Sequence, residues 1–288
     1  MSASPQKLPP GLVEEVLRFC DMPAHPEPTA AGLTSLYRAW CHAVPFDNIR
    51  KLIAIRNNAP GPLPGDDPVE FFDALLDDGV GGTCWAGNGA LCALLESLGF
   101  DAVRAVGTML VSPSPDLPPN HGSVVVRIGR QRFVTDASIM SVRPLEVVPG
   151  ESTAIEHPSW GVVGHWLDGA FAIRWQPLGR DDALDCRMDT FEVDAGRFRM
   201  QHEQTRTWSP FNYELMLNLV IGDQRVGVAQ GHKVVIAADG RKSREQIVDR
   251  VRFLVDELGI SERIAARIPQ DTPMPPPPGS RTAAARNP

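Results

Sequence analysis

The stretch GVGGTCWAGNGALCALLESLGF, residues 79–100, is where the chain changes character. Gly81 and Gly82 allow a tight backbone approach, and Thr83 and Cys84 follow directly. An apolar pattern at helical spacing then begins: Leu91, Leu94, Leu95 and Leu98 obey the i, i+3, i+4, i+7 rule, and Gly99 supplies a stop. The spacing predicts a helix that opens at or beside Cys84, and from Phe100 the period changes. Residues 101–111, 121–129 and 130–138 are rich in β-branched residues and punctuated by glycine, as strands are.

Upstream the chain reads as helical. Leu12, Val13, Val16, Leu17 and Cys20 share one face, as do Leu33, Leu36, Tyr37 and Trp40. After a Pro- and Gly-rich loop (58–68) a helix start is expected, with Asp67 as N-cap, Pro68 at the first position and Glu70 closing a capping box. Downstream, further strands are expected in 169–178, 189–193, 213–221 and 232–239. SREQIVDRVRFLVDELGI (243–260) reads as a last helix, opened by a Ser243/Gln246 box and buried along Ile247, Val251, Leu254, Val255 and Leu258. The sum is an α+β protein, helices first, a β-rich middle, then a mixed part. Residues 270–288, rich in proline and poor in apolar groups, are expected to form a disordered tail.

The net charge of -7 argues against binding to a nucleic-acid polyanion. No apolar run approaches the roughly 18 residues that span a bilayer, and the N-terminus lacks the pattern of a secretory signal, so a cytoplasmic location is expected. The five cysteines (20, 41, 84, 92 and 186) are odd in number and form no C-x-x-C pair; neither a disulfide framework nor a metal site is expected.

Cys84 has two readings. Free cysteines are usually buried and inert, and Cys92, inside the helix among leucines, fits that description. A thiol at a helix N-terminus, however, feels the positive end of the dipole, which favours thiolate, and the free N–H groups there suit an oxyanion. A nucleophile also needs a base. His121 opens the strand HGSVVVRIG, and the next strand ends at Asp136. If Gly129-Arg130 is a two-residue II′ turn, paired residue numbers sum to 259, so Asp136 faces Ser123 and is the diagonal neighbour of His121. The backbone separation is then roughly 7–8 Å, which two side chains can close. Asp136 would orient the imidazole while the other ring nitrogen addresses the thiol. A different turn length would break the pairing.

At these residues the chain resembles the arylamine N-acetyltransferases. VPFDNI (44–49) is similar to that family's V-P-F-E-N-L block, and residues 79–102 to its R-G-G-x-C-x-E-x-N-G block and following helix. Residues 120–138 take the place of its histidine strand, hairpin and V-D segment. The resemblance covers nearly all of the chain except the tail. It implies Cys84 as acyl-accepting nucleophile, His121 as base and Asp136 as orienter. It also implies a helical bundle (1–99) carrying the nucleophile, a β-barrel (100–195) carrying His and Asp, and a mixed α/β lid (196–269). Phe46, Thr83, Trp85, Gly122, Ile139 and Met140 are the implied substrate-binding residues. The loop 112–120, with Pro119 and Asn120, and Ser209 are the implied contacts to coenzyme A.

Three departures stand out: Val80 in place of the usual Arg, Ala86 where Glu is common, and ASIM (137–140) for V-G-F-G, which puts bulky Ile139 and Met140 where the acceptor pocket is expected. The implied activity is N-acyl transfer from a thioester to a small amine through an acyl-cysteine, with acyl-coenzyme A as cosubstrate and no permanently bound cofactor. The loop 112–120 has no basic residue for phosphates. An amide synthase taking its acyl group from an acyl carrier protein's phosphopantetheine is therefore the first alternative. A transglutaminase-like amidohydrolase shares the Cys–His–Asp order, and an idle homologue that only binds a partner is the bland rival. A papain relative is disfavoured by chain order, since histidine follows Cys84 so closely.

Overall fold

The computed structural model describes residues 7–111 and 118–275; most of the loop assigned above to the cosubstrate (112–117) and the end of the tail (276–288) lie outside the described residues. The first part carries α1 (Pro10–Phe19), α2 (Ala30–Ala43), the short β1 (Phe46–Asp47), α3 (Ile49–Arg56), α4 (Pro68–Asp78) and α5 (Cys84–Ser97). Then come β2 (Asp101–Met109), β3 (His121–Ile128), β4 (Gln131–Thr135), β5 (Leu145–Glu146), β6 (Thr153–Ile155), β7 (Val162–Leu167), β8 (Ala170–Trp175) and β9 (Leu184–Val193). The rest is α6 (Ala195–Trp208), β10 (Leu217–Ile221), β11 (Gln224–Ala229), β12 (His232–Ile236), β13 (Lys242–Gln246), α7 (Arg250–Leu258) and α8 (Glu262–Ala265).

Strands β2–β9 form one antiparallel sheet in the order β5-β4-β3-β2-β9-β8-β7-β6. Its two edges approach each other, and the Thr153 hydroxyl of β6 donates to the Glu146 carbonyl of β5 at 2.7 Å, so the sheet is a nearly closed barrel. Closure removes exposed edges that would otherwise invite pairing. The remaining strands form a second antiparallel sheet, β1-β10-β11-β12-β13, in which β1 comes from the helical part of the chain.

Helix α5 is the hub. It is buried on all sides, from Cys84 through Leu95, rather than along one stripe. A helix that is apolar all round belongs in a core, and α5 packs against α4, β2, β3 and α6. Its start is fixed by the VPFDNI block. Gly81 donates to the Asp47 carboxylate at 2.6 Å, and a Cβ at Gly81 would lie 1.9 Å from the Pro45 carbonyl, so only glycine fits. Asn48 does the matching work on the other side. Its amide nitrogen donates to the carbonyls of Phe211 (2.9 Å) and Glu214 (2.7 Å), and its oxygen accepts from Met216 N–H at 2.8 Å. Asp47 and Asn48 thus tie the loop before Cys84 to the segment that leads into the second sheet.

The structure corrects three local expectations. Asp67 caps α4 through Val69 N–H, but Glu70 closes no capping box; it accepts from Gly65 N–H and pairs with Arg50. The last long helix starts at Arg250, not at Ser243, with Asp249 as its cap. Lys242–Gln246 instead pairs with β12, because the ladder beside β12 satisfies their backbone groups in place of a helix. The tail expected from residue 270 is anchored at its start: Asp271 accepts from Leu215 N–H, and Thr272 N–H donates to the Tyr213 carbonyl. Among the described residues no helix is long and apolar enough to cross a membrane.

Asn48→Ala should leave two carbonyls and one N–H without their partner. The expected loss is about 3 kcal/mol of stability, read as a lower urea midpoint with an unchanged m-value.

Candidate active site

Cys84 is the first residue of α5. Thr83 holds the N-cap position, but its hydroxyl makes no cap bond, so the first-turn N–H groups are not taken up by it. His121 opens β3 and Asp136 follows β4. The hairpin register is Val124↔Thr135, Val126↔Phe133 and Ile128↔Gln131, each pair summing to 259. Gly129 has φ +60° and Arg130 does not have a positive φ, as a turn of type II′ requires. His121 Nε2 and the Asp136 carboxylate meet at 2.8 Å, with both side chains almost fully buried.

The environment of this pair is asymmetric. Burial alone would lower the proton affinity of His121, but Asp136, with smaller contributions from Cys186 and Cys84, drives it well above the ordinary histidine value. Burial would likewise raise Asp136, yet His121 and the hydrogen bonds it receives hold the carboxyl well below the usual carboxylate range. Its Oδ1 accepts from Ser138 N–H (3.0 Å), Ser138 Oγ (2.7 Å), Ile139 N–H (3.1 Å) and Asn88 Nδ2 (3.3 Å). The pair is therefore built to be ionised: imidazolium beside carboxylate. Cys20, Cys41, Cys92 and Cys186 are buried thiols that desolvation pushes up to about 12.

Cys84 and His121 line a cavity of about 350 Å³ whose wall is mostly apolar. Phe46, Thr83, Trp85, Asn120 and Ser209 line the same cavity. Asn120 reaches back to β2 through its Oδ1, which accepts from Met109 N–H, and Ser209 Oγ accepts from Phe211 N–H. Other residues named from the sequence lie elsewhere. Ile139 and Met140 do not line the cavity: Ile139 is packed in the barrel core and Met140 in the core shared by the helices and the second sheet. The turn that carries them folds back to cap Asp136, so their bulk goes inward; Met140 adopts φ +56° there. Gly122 also stands behind the wall, where a Cβ would meet Phe198 and Trp85 at 2.6 and 2.7 Å. Pro119 lines no part of the cavity, and the segment before it lies outside the described residues.

Sequence reasoning missed several residues that hold the site. Asn88, one turn into α5, donates to the Gly122 carbonyl at 2.7 Å and accepts from Ala137 N–H at 2.9 Å, locking α5 to the hairpin. It was visible as the asparagine of the family's x-N-G block. Tyr37 reads from its spacing as a core residue, yet its hydroxyl accepts from Asp136 N–H and donates to the Asp136 carbonyl at 2.8 Å. Ser138 lines the cavity as well as binding Asp136. Helix α6 had no sequence signal strong enough to find; it lays Phe198 edge-on against Trp85 with ring centroids 4.9 Å apart.

Comparison with known proteins bears on the family and the fold. A family model described as N-acetyltransferase matches residues 29–261, well over half of the chain. An arylamine N-acetyltransferase of Mycolicibacterium smegmatis is 27% identical over 165 residues, which is 53% of this chain and 58% of that relative. The match thus spans little more than half of the relative's length. Among solved structures, the arylamine N-acetyltransferase of Mycobacterium marinum in complex with CoA superposes with a TM-score of 0.74 at 20% identity, covering 89% of this chain and 98% of that one. The enzyme of Salmonella typhimurium gives 0.74 at 17% identity, over 93% and 98%. At those identities the likeness establishes the fold alone, and the mixed helix-and-barrel architecture is the one these structures share. The extent of the family match settles the assignment: the chain belongs to the arylamine N-acetyltransferase family.

Proposed function

We infer that the protein transfers an acyl group from a thioester to a small amine through an acyl-Cys84 intermediate. One observation carries the reading: Cys84 and His121 line the same cavity, and Asp136 holds Nε2 of His121 at 2.8 Å. With Nε2 committed to Asp136, Nδ1 is the nitrogen left for the thiol. An imidazolium held in that state favours thiolate beside it.

In the first half-reaction the Cys84 sulfur attacks the thioester carbonyl carbon. First-turn N–H groups of α5 stabilise the oxyanion. The carbon–sulfur bond to the carrier breaks, and the carrier thiol leaves with the proton held by His121. In the second half the amine nitrogen attacks the acyl-cysteine. His121 removes the proton from that nitrogen, Cys84 leaves as thiolate, and the product is an amide. Exchange between thioesters suits a cysteine because the two sulfur leaving groups are alike in basicity. The M. marinum structure holds CoA, which supports acyl-coenzyme A as donor. The positive charge missing from loop 112–120 is available from Arg180, which lines the cavity and is exposed. A carrier-protein thioester remains the alternative donor.

Acetyl-coenzyme A, longer acyl-coenzyme A and acyl-pantetheine should be tried in turn, with the intact mass recorded. An adduct of one acyl mass that is absent in Cys84→Ala supports the reading, and the donor that loads fastest identifies the carrier. Failure of every thioester, together with ammonia release from glutamine peptides, would favour the amidohydrolase reading.

Asp136→Asn should slow acylation by roughly 10²–10⁴-fold, the usual contribution of a positioned acid–base group, as seen by stopped-flow release of the carrier thiol.

The pH dependence of stability tests the ion pair directly. His121 binds its proton more tightly when folded, so its contribution is complete below about pH 6.5 and is lost as pH rises through its raised folded value. Asp136 binds its proton less tightly when folded, so its contribution is complete above about pH 4 and is lost as pH falls through its lowered value. The stability gap between wild type and His121→Gln, from urea unfolding, should be widest between about pH 4 and 6.5. It should then narrow toward alkaline pH; a gap that widens there contradicts the pair.

A further inference from the structure

The mechanism above leaves one buried charge in the cavity unused. Lys51, on α3, lines the cavity together with Cys84 and is only 4% exposed. Its Nζ donates to Thr205 Oγ1 on α6 at 2.8 Å, and Thr205 passes its own hydrogen to the His202 carbonyl at 2.7 Å. An ammonium has three N–H donors, and one is accounted for among the described residues. No ion pair to Lys51 forms among the described residues either. Glu203, the carboxylate whose charge reaches it, is bound to Arg206 and to Leu63 N–H. Arg206 itself repels Lys51.

A structural lysine is a poor explanation. A buried cation without a counter-ion costs several kcal/mol, and an apolar side chain of the same size would fill the space without that cost. Burial pulls the Lys51 ammonium down to about 7, with the charge of Cys84 acting the other way. An anion arriving in the cavity would restore the full charge and occupy the unspent donors. The chemistry of the reaction limits where that anion can sit. The phosphates of coenzyme A are separated from the thioester by the whole pantetheine arm, so they do not reach a group whose charge is felt at Cys84. The anion must belong to the acyl group or to the amine.

We propose that Lys51, oriented by Thr205, is a carboxylate-binding point in the cavity, so that one of the two small substrates carries a carboxylate while its reacting end lies at Cys84. This rests on the reading of Cys84 as the acyl-carrying thiol, and it adds the substrate class. Lys51 is not visible as such in the sequence, where it sits in an ordinary helix just after VPFDNI.

Binding tests the idea without turnover. Trp85 and Trp175 line the cavity, so quenching of tryptophan fluorescence can follow phenylacetate and its neutral match, phenylacetamide. Wild type should bind phenylacetate at least fivefold more tightly, and the margin should vanish in Lys51→Met and in Lys51→Gln and survive in Lys51→Arg. Equal binding of the two ligands by wild type overturns the proposal, whatever the variants do. So does a margin that persists in Lys51→Met.

Two matched pairs then name the source. Succinyl- against pentanoyl-coenzyme A reports on the acyl group, by the rate of Cys84 acylation. 4-Aminophenylacetate against 4-ethylaniline reports on the amine, by discharge of acetyl-Cys84. At least a tenfold drop in the charged-to-neutral ratio on Lys51→Met is expected in one pair, and no drop in either overturns the proposal. If acetyl-coenzyme A fails to load Cys84 while the phenylacetate margin holds, the acyltransferase reading fails and the carboxylate point stands.

Discussion

The carboxylate of Asp136 is the point on which the layers of this molecule converge. One of its oxygens faces His121 from the barrel; the other receives Ser138 and Ile139 from the turn after β4 and Asn88 from the central helix. The backbone of the same residue is held by the Tyr37 hydroxyl from α2. A charge buried this deeply is costly unless its hydrogen-bonding capacity is filled. Here the capacity is filled from three separate elements, so their relative positions are fixed by the requirement to satisfy one group. A carboxylate held in this way also fixes the imidazole, and with it the direction in which the remaining nitrogen can act.

The parts of this arrangement that were readable from the sequence are those governed by local rules. The hairpin is the clearest case. A two-residue turn with glycine in its first position fixes the register, and the register alone makes His121 and Asp136 neighbours. The helix start at Cys84 follows in the same way from glycines and an apolar run. The burial of α5 on every side is a different matter. Its leucines give a stripe, but the helix is surrounded because four other elements reach it, and no window of sequence contains them.

What stayed hidden depended on long-range pairing. Ser243 to Gln246 carry a passable helix signal, yet the open side of β12 takes them as a strand. Ile139 and Met140 looked like pocket residues because of their position after Asp136. In the structure, the need to bring two N–H groups and a hydroxyl onto Oδ1 curls the turn, and the bulky side chains go into the two cores. Tyr37 and Lys51 show the same limit from the opposite side. Both sit at helical positions that fit an ordinary reading, and each acquires its meaning from a partner more than ninety residues away.

The two substitutions flanking Cys84 have a physical account in the packing around it. Where the family commonly has a glutamate, Ala86 sits so close to Gly65 and Gly82 that a Cβ on either glycine would lie 2.5 or 2.7 Å from its own. Val80, in place of arginine, is fully buried in the helical core. The loop before Cys84 is therefore held by close packing and by the Asp47–Gly81 hydrogen bond, with no arginine–glutamate ion pair across it. The buried titratable side chains that line the cavity include His121, which is paired with Asp136, and Lys51, which has no ion-pair partner among the described residues. In a low-dielectric cavity a single uncompensated charge has more influence than in a site crowded with ions. On the carboxylate proposal, selectivity for the small substrate turns on Lys51, while Arg180 and Glu214 are the more exposed charges of the same cavity.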